Sequence, residues 1–191
     1  MMMRMEESDN ELVKAYKNGN QNAIEILIAR HLPSVYNFVI RFVGEEEAND
    51  VAQETFVRVW KHIKRYDDSR NFKVWLFTIA RRLAIDFTRK KKHTPFSAYE
   101  DDDNEHFDVE DFSDLPQELF RKKEIAEAIQ NLVAELSNDR KAIVILHDSE
   151  MLPFKDIADI MERPVNTVKS QYRRALMYLR DRIDKGNAPK L

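Results

Sequence analysis

Thr167, Ser170, Gln171 and Arg174 follow one another at offsets of three, four and seven, the spacing that lines side chains along one face of a helix. Asn166 precedes them, and Lys169 and Arg173 flank them. Hydroxyl, amide and guanidinium groups in such a row can hydrogen-bond to base edges and pair with phosphates. On the other side Val168, Tyr172, Ala175, Leu176, Leu179 and Ile183 form a row that can be buried. Pro164 disfavours helix in the residue before it and Asn166 is a good N-cap, so the helix is predicted to open at Thr167. Upstream, Phe154, Ile157, Ala158 and Met161 keep helical spacing in a short segment that Pro153 can start at its first turn. Two short helices joined by about four residues, with a polar and basic outer face on the second, read as a helix-turn-helix whose second helix enters a major groove by its N-terminal end. The alternative is an ordinary helical hairpin with a solvated charged face.

A second group lies earlier. Between Lys61 and Lys92 stand eleven Lys or Arg against Asp67, Asp68 and Asp86, a local balance of +8. Basic charge interleaved with Tyr66, Phe72, Trp75 and Phe77 is a composition suited to single-stranded nucleic acid, with phosphates on the cations and bases on the rings. Tyr66 to Phe72, including Ser69, Arg70 and Asn71, reads as a polar loop between helices, so Tyr66 and Phe72 are the better stacking groups, whereas Trp75 and Phe77 suit a core. A helix follows from about Lys73 to Lys91. Leu76, Ile79, Ala80, Leu83 and Phe87 face inward on it; Thr78, Arg81, Arg82, Ile85, Asp86 and Arg89 face out.

A third group is Asp50, Gln53, Glu54 and Val57, the outer face of a helix whose inward stripe is Val51, Ala52, Thr55, Phe56, Val59, Trp60 and Ile63. A valine among acids and amides hints at a docking surface, although isolated exposed apolar residues are ordinary.

Bond-making chemistry has no foothold. The five histidines lack metal-ligand spacing, and there is neither a glycine-rich phosphate loop nor a nucleophile motif. No enzyme activity, cofactor or metal is expected. With no cysteine, disulfides and thiolate sites are excluded, and a reducing cytoplasm is suitable.

The elements that must position these groups are helical. Only Gly19, Gly44 and Gly186 occur in 191 residues, which favours an all-α protein over a turn-rich β architecture. Leu12, Ala15 and Tyr16 begin a helical pattern that Gly19 interrupts; Ala23, Ile24, Leu27 and Ile28, then Val35, Tyr36, Val39, Ile40 and Val43, continue it to a stop at Gly44. From Glu100 to Asp114 there are nine acids and no Lys or Arg, a run that reads as a flexible acidic linker. Two small helical domains follow: residues 10–93, a linker over 94–115, and residues 116–184 containing the helix-turn-helix. The second starts with a stripe of Ile125, Ile129, Leu132 and Leu136, breaks at Ser137 and Asn138, and resumes with Ala142, Ile143, Ile145 and Leu146. The formal net charge is only −3, so any DNA contact must come from local charge. No apolar run approaches the roughly eighteen residues of a membrane span, so a soluble cytoplasmic protein is expected, without membrane insertion.

Three stretches, DVAQETFVRVW at Asp50, WLFTIARRLAIDFTRKKK at Trp75 and IADIMERPVNTVKSQYRRALMYLR at Ile157, together resemble the sigma-70 family, in its extracytoplasmic-function (ECF) group. The resemblance runs in the family's order from about Glu11 to Ile183. It departs where glycines often stand, at Asp68, Glu162 and Asn166, and where an arginine often follows the lysine-serine pair, at Gln171.

The resemblance implies a transcription initiation factor that binds core RNA polymerase and promoter DNA. By that likeness Asp50, Gln53, Glu54 and Val57 would dock on the clamp helices of polymerase. Tyr66, Ser69, Arg70, Asn71 and Phe72, with Arg81, Arg82, Arg89 and Lys90 behind them, would hold the melted minus-ten strand. Asn166, Thr167, Lys169, Ser170, Gln171, Arg173 and Arg174 would read the duplex minus-thirty-five element, while other faces of the second domain meet the polymerase flap. An anti-sigma factor is a further implied partner. The competing functions are a stand-alone helix-turn-helix regulator and a protein-interaction adaptor on the same fold.

Overall fold

Ser8 opens the first helix with a reciprocal cap: its hydroxyl accepts from the Glu11 backbone N–H, and the Glu11 carboxylate accepts from the Ser8 N–H at 2.7 Å. The computed structural model describes residues 7–93 and 128–185, all of it helix, turn and irregular chain, with no strand among the described residues. The acidic run and residues 116–127, Ile125 among them, lie outside the described residues.

The first unit has four helices. They are α1 (Asp9–Lys17), α2 (Asn22–Val43), α3 (Glu45–His62) and α4 (Phe72–His93), with a single 3-10 turn at Ile63–Arg65 before the loop to α4. Gly44 stops α2 as its spacing predicts. Its φ of 87° lies where a side chain would strain the backbone, and three glutamates in the next turn suit the positive end of α3. Pro33 sits inside α2 without ending it. Leu12, Leu27, Val35, Phe38, Val39, Val59, Ile63, Leu76 and Phe77 are fully buried, with Phe38 edge-on to Phe77 at 5.4 Å. α2 is long and apolar enough to cross a membrane, with a mean hydropathy of 1.2, yet it carries Glu25, Arg30 and Arg41 and packs against α1, α3 and α4 as the central helix of the unit.

The second unit comprises α5 (128–134), α6 (Asn138–Val144), which passes into one π turn at Ile145–Ser149, α7 (Phe154–Met161) and α8 (Val165–Asp184). The helix-turn-helix is present, with its boundaries shifted. α8 begins at Val165, two residues before the predicted start, because the Pro164 carbonyl accepts from the Thr167 and Val168 N–H groups and Asn166 is already helical. Pro153 likewise stands at the N-cap of α7 in extended backbone rather than within its first turn. Glu162 ends α7 in the left-handed region (φ 54°, ψ 43°), the conformation for which such a turn favours glycine.

In this second unit two residues assigned to buried stripes are outside. Leu176 is 42% exposed on α8 and Ile129 is 48% exposed on α5, while Val168, Ala175, Leu132 and Leu136 are buried as the periodicity requires. The far end of α8 is held instead by a polar clasp, in which Glu135 accepts from Tyr178 Oη at 2.8 Å and from Arg182 at 2.6 Å. These two donors keep the Glu135 carboxyl below the usual carboxylate range.

Candidate nucleic-acid interface

On α8, Asn166, Lys169, Ser170, Arg173 and Arg174 are exposed and Thr167 and Gln171 are half-buried, so the polar row lies on the surface in one strip. Ser170 Oγ donates to the Thr167 carbonyl at 3.0 Å. Gln171 Oε1 is buried and has no hydrogen-bond partner among the described residues. Under the strip His147 stacks on Phe154 at 4.2 Å and meets Tyr172 edge-on, while Tyr172 Oη donates to Asp148 at 2.7 Å. Burial and that carboxylate push the Tyr172 phenol up to about 12. A row of donors and cations carried on a helix locked this way can meet a groove as a rigid edge.

The 66–72 loop is built differently from expectation. Tyr66 and Phe72 are 6% and 2% exposed and cannot stack on a base; the structure corrects that assignment. They are the loop's anchors, with Phe72 serving as the first residue of α4. Tyr66 Oη donates to the Arg70 carbonyl at 2.7 Å, and burial together with Asp67 and Asp68 pushes the phenol up to about 12. The half-buried ring of Trp75 lies on Tyr66 and, with Arg70, Asn71 and Arg82, lines one wall of an open cleft of about 950 Å³ whose other wall is α7 and the turn after it, with Lys155, Asp156, Asp159, Glu162 and Arg163. Phe77 is wholly buried. Ser69, Arg70 and Asn71 are exposed, and Ser69 Oγ donates to Asp67 at 2.7 Å. Arg89 pairs with Asp86 at 3.3 Å, and Lys90 is exposed beside it.

The cationic side of α4 meets the second unit directly, α4 against α7. Arg81 pairs with Asp139 at 3.0 Å, whose other oxygen takes Arg163 at 2.6 Å. Arg82 pairs with Glu162, Lys73 with Glu150 at 3.0 Å, and Asn71 Nδ2 donates to Asp156 at 3.0 Å. Lys141 is 7% exposed; it donates to the Arg41 carbonyl at 3.0 Å across the same junction and sits over the Phe42 ring, and burial draws its pKa down. Carboxylates and one carbonyl of the second unit thus hold Arg81, Arg82, Lys73 and Asn71 of the first.

On α3, Asp50, Gln53, Glu54 and Val57 are exposed as predicted, with Glu54 paired to Arg58 at 2.9 Å and Val57 40% exposed. Trp60 is a correction. Assigned to the buried stripe, it is 56% exposed. It stands three residues after Val57 and seven after Gln53, so the same periodicity also places it on the outer face. Among the described residues no group of His, Asp and Glu is placed to hold a metal ion.

Comparison with known proteins finds a match in each unit. The family described as Sigma-70 region 2 matches residues 27–94, and that described as Sigma-70, region 4 matches residues 126–179. The chain is 29% identical to the RNA polymerase sigma-H factor of Pseudomonas aeruginosa, over 99% of this chain and 98% of that one. It is also 29% identical to the ECF RNA polymerase sigma factor SigW of Bacillus subtilis, over 94% and 98% of the two chains. Among solved structures, CnrH in complex with the cytosolic domain of CnrY has the same fold at a TM-score of 0.68 with 22% identity, covering 94% of this chain and 99% of that one. The sigma factor RpoE bound to the anti-sigma factor NepR from Bartonella quintana gives 0.61 with 21% identity, covering 84% and 96%. With both regions matched in order and relatives aligned end to end, the chain belongs to the ECF group of the sigma-70 family and is an initiation factor that directs RNA polymerase to promoters.

Proposed function

We propose that the chain divides this role among three surfaces. The first unit, residues 10–93, docks on core polymerase through Asp50, Gln53, Glu54, Val57 and Trp60, and holds the melted minus-ten strand with Ser69, Arg70, Asn71, Trp75, Arg81, Arg82, Arg89 and Lys90. The second, residues 116–184, reads the duplex minus-thirty-five element with Asn166, Thr167, Lys169, Ser170, Gln171, Arg173 and Arg174. Leu176 and Met177, 42% and 66% exposed, offer it an apolar contact to polymerase. The acidic residues 94–115 link the two. The protein acts in the cytoplasm by binding, with no reaction of its own, and an anti-sigma factor of the kind seen with the structural relatives restrains it.

The observation that carries this division is the pairing of Arg81, Arg82 and Asn71 with Asp139, Glu162 and Asp156. The same side chains cannot hold those carboxylates and a nucleic-acid backbone together, so the two units part when polymerase binds them at separate sites. Transcription reconstituted from core polymerase, this chain and a randomised promoter pool tests it. Enriched sequences should show two elements, the upstream one changing with Arg174→Ala and the downstream one with Arg82→Ala. One element only, or two that ignore both substitutions, would overturn the division.

A further inference from the structure

The loop between Tyr66 and Asn71 is shaped by a helix distant in sequence. The Arg70 carbonyl accepts two hydrogen bonds, from Tyr66 Oη at 2.7 Å and from Asn10 Nδ2 at 2.9 Å. At the other end of the loop Lys17 Nζ donates to the Tyr66 carbonyl, lies 3.7 Å from the Asp68 carboxylate and sits over the Tyr66 ring. Asn10 and Lys17 are seven residues apart, two turns along one face of α1, so one rigid rod ties down both ends. α1 is itself clipped by Asp9, which takes Arg30 at 2.6 Å and His31 at 2.7 Å. Burial alone would raise the Asp9 carboxyl, but His31 and then Arg30 outweigh it and hold it below its ordinary range. The Asn10 Oδ1 atom is buried without a partner among the described residues, so the donor side of that amide is what the fold uses.

We propose that Asn10 and Lys17 are positioning residues for minus-ten base selection: they fix the backbone on which Ser69, Arg70 and Asn71 are displayed, and so decide which strand sequence the loop accepts, without touching the strand. This rests on the reading of the loop as the minus-ten holder. Leu12, Val13 and Tyr16 anchor α1 in the core independently, so Asn10 and Lys17 can be changed while the helix stays docked.

The test uses the full chain with core polymerase and a promoter pool randomised across both elements. Lys17→Met with Asn10→Ala should flatten base preference in the minus-ten element by roughly three- to tenfold, the factor that one or two net hydrogen bonds contribute to a loop conformation, and leave the minus-thirty-five preference alone. Amide hydrogen exchange of residues 67–70 in the free protein should speed up by a similar factor. Asn10→Asp, which keeps the shape but loses the donor, should behave like Asn10→Ala, and Lys17→Arg should restore selection. Unchanged loop exchange, or unchanged minus-ten preference, overturns the proposal. Ser69→Ala with Arg70→Ala separates two failures. If that pair alters minus-ten preference and the α1 pair does not, positioning falls and the loop keeps its role; if neither does, both fall.

Discussion

Trp75 stacks on Tyr66 with 4.6 Å between ring centroids and 30° between planes, so a buried tyrosine supports the aromatic face that α4 turns into the cleft it shares with α7. Base stacking on a protein ring is worth about 1–3 kcal/mol. Trp75→Ala is therefore expected to weaken binding of a single-stranded minus-ten oligonucleotide to the polymerase-bound chain by that amount. Trp75→Phe should recover part of it. Fluorescence anisotropy of the labelled strand measures both, and an alanine variant that binds like the parent would remove Trp75 from the strand's path.

Trp60 carries the second expectation. Aromatic residues at the centre of an interface often cost ~2 kcal/mol or more when truncated, whereas rim charges cost little. Trp60→Ala should weaken core polymerase binding about thirtyfold, which corresponds to ~2 kcal/mol, and Asp50→Asn far less. Because the ring is 56% exposed, its removal should leave thermal stability nearly unchanged. Titration against core polymerase and a melting curve check the two halves separately.

For α8 the prediction concerns base identity. Gln pairs best with adenine and Arg with guanine, each good bidentate contact being worth ~1–3 kcal/mol of discrimination. Gln171 Oε1 is buried without a partner, a state that costs roughly 1–3 kcal/mol, so swinging out to meet a base removes a penalty as well as making a contact. Promoters selected by the parent should carry adenine at its position, and those selected by Gln171→Arg should carry guanine. Identical selections would exclude Gln171 from base reading.

The junction between the units should yield to salt. Individual exposed ion pairs contribute about 0–1 kcal/mol, and at 1 M salt charges are screened within ~3 Å. The chain has no cysteine, so dyes on introduced cysteines at Lys64 and Asp181 report one distance. Energy transfer should fall between 0.05 M and 1 M salt, and Asp139→Asn with Glu162→Gln should move that fall to lower salt. Transfer that ignores both would mean that the packing of α4 on α7 suffices without the ion pairs.

How far these features were legible beforehand depends on the distance over which their causes act. Helical periodicity placed Val51, Phe56, Val59, Leu76 and Val168 inside and Gln53, Glu54 and Arg174 outside, because each depends on its own helix meeting one core. Trp60 escaped because it sits at the seam of two periodic rows, and only the neighbouring helices decide which row wins. Tyr66 and Phe72 were misplaced for a related reason: a short loop between packed helices needs anchors, and its rings go under rather than out. The pairing of Arg81 with Asp139, Arg82 with Glu162 and Asn71 with Asp156 spans 58, 80 and 85 residues, and no local pattern encodes it.

Glu162 joins two of these scales in one residue. Its left-handed backbone is a conformation a glycine would adopt without strain, and its carboxylate is the group that meets Arg82. A change to glycine would relax the hairpin and at the same stroke release the arginine, so rigidity of one unit and availability of the other's cationic face are coupled at a single codon. A substitution that eases the turn would by the same change remove one of the ties between the two units.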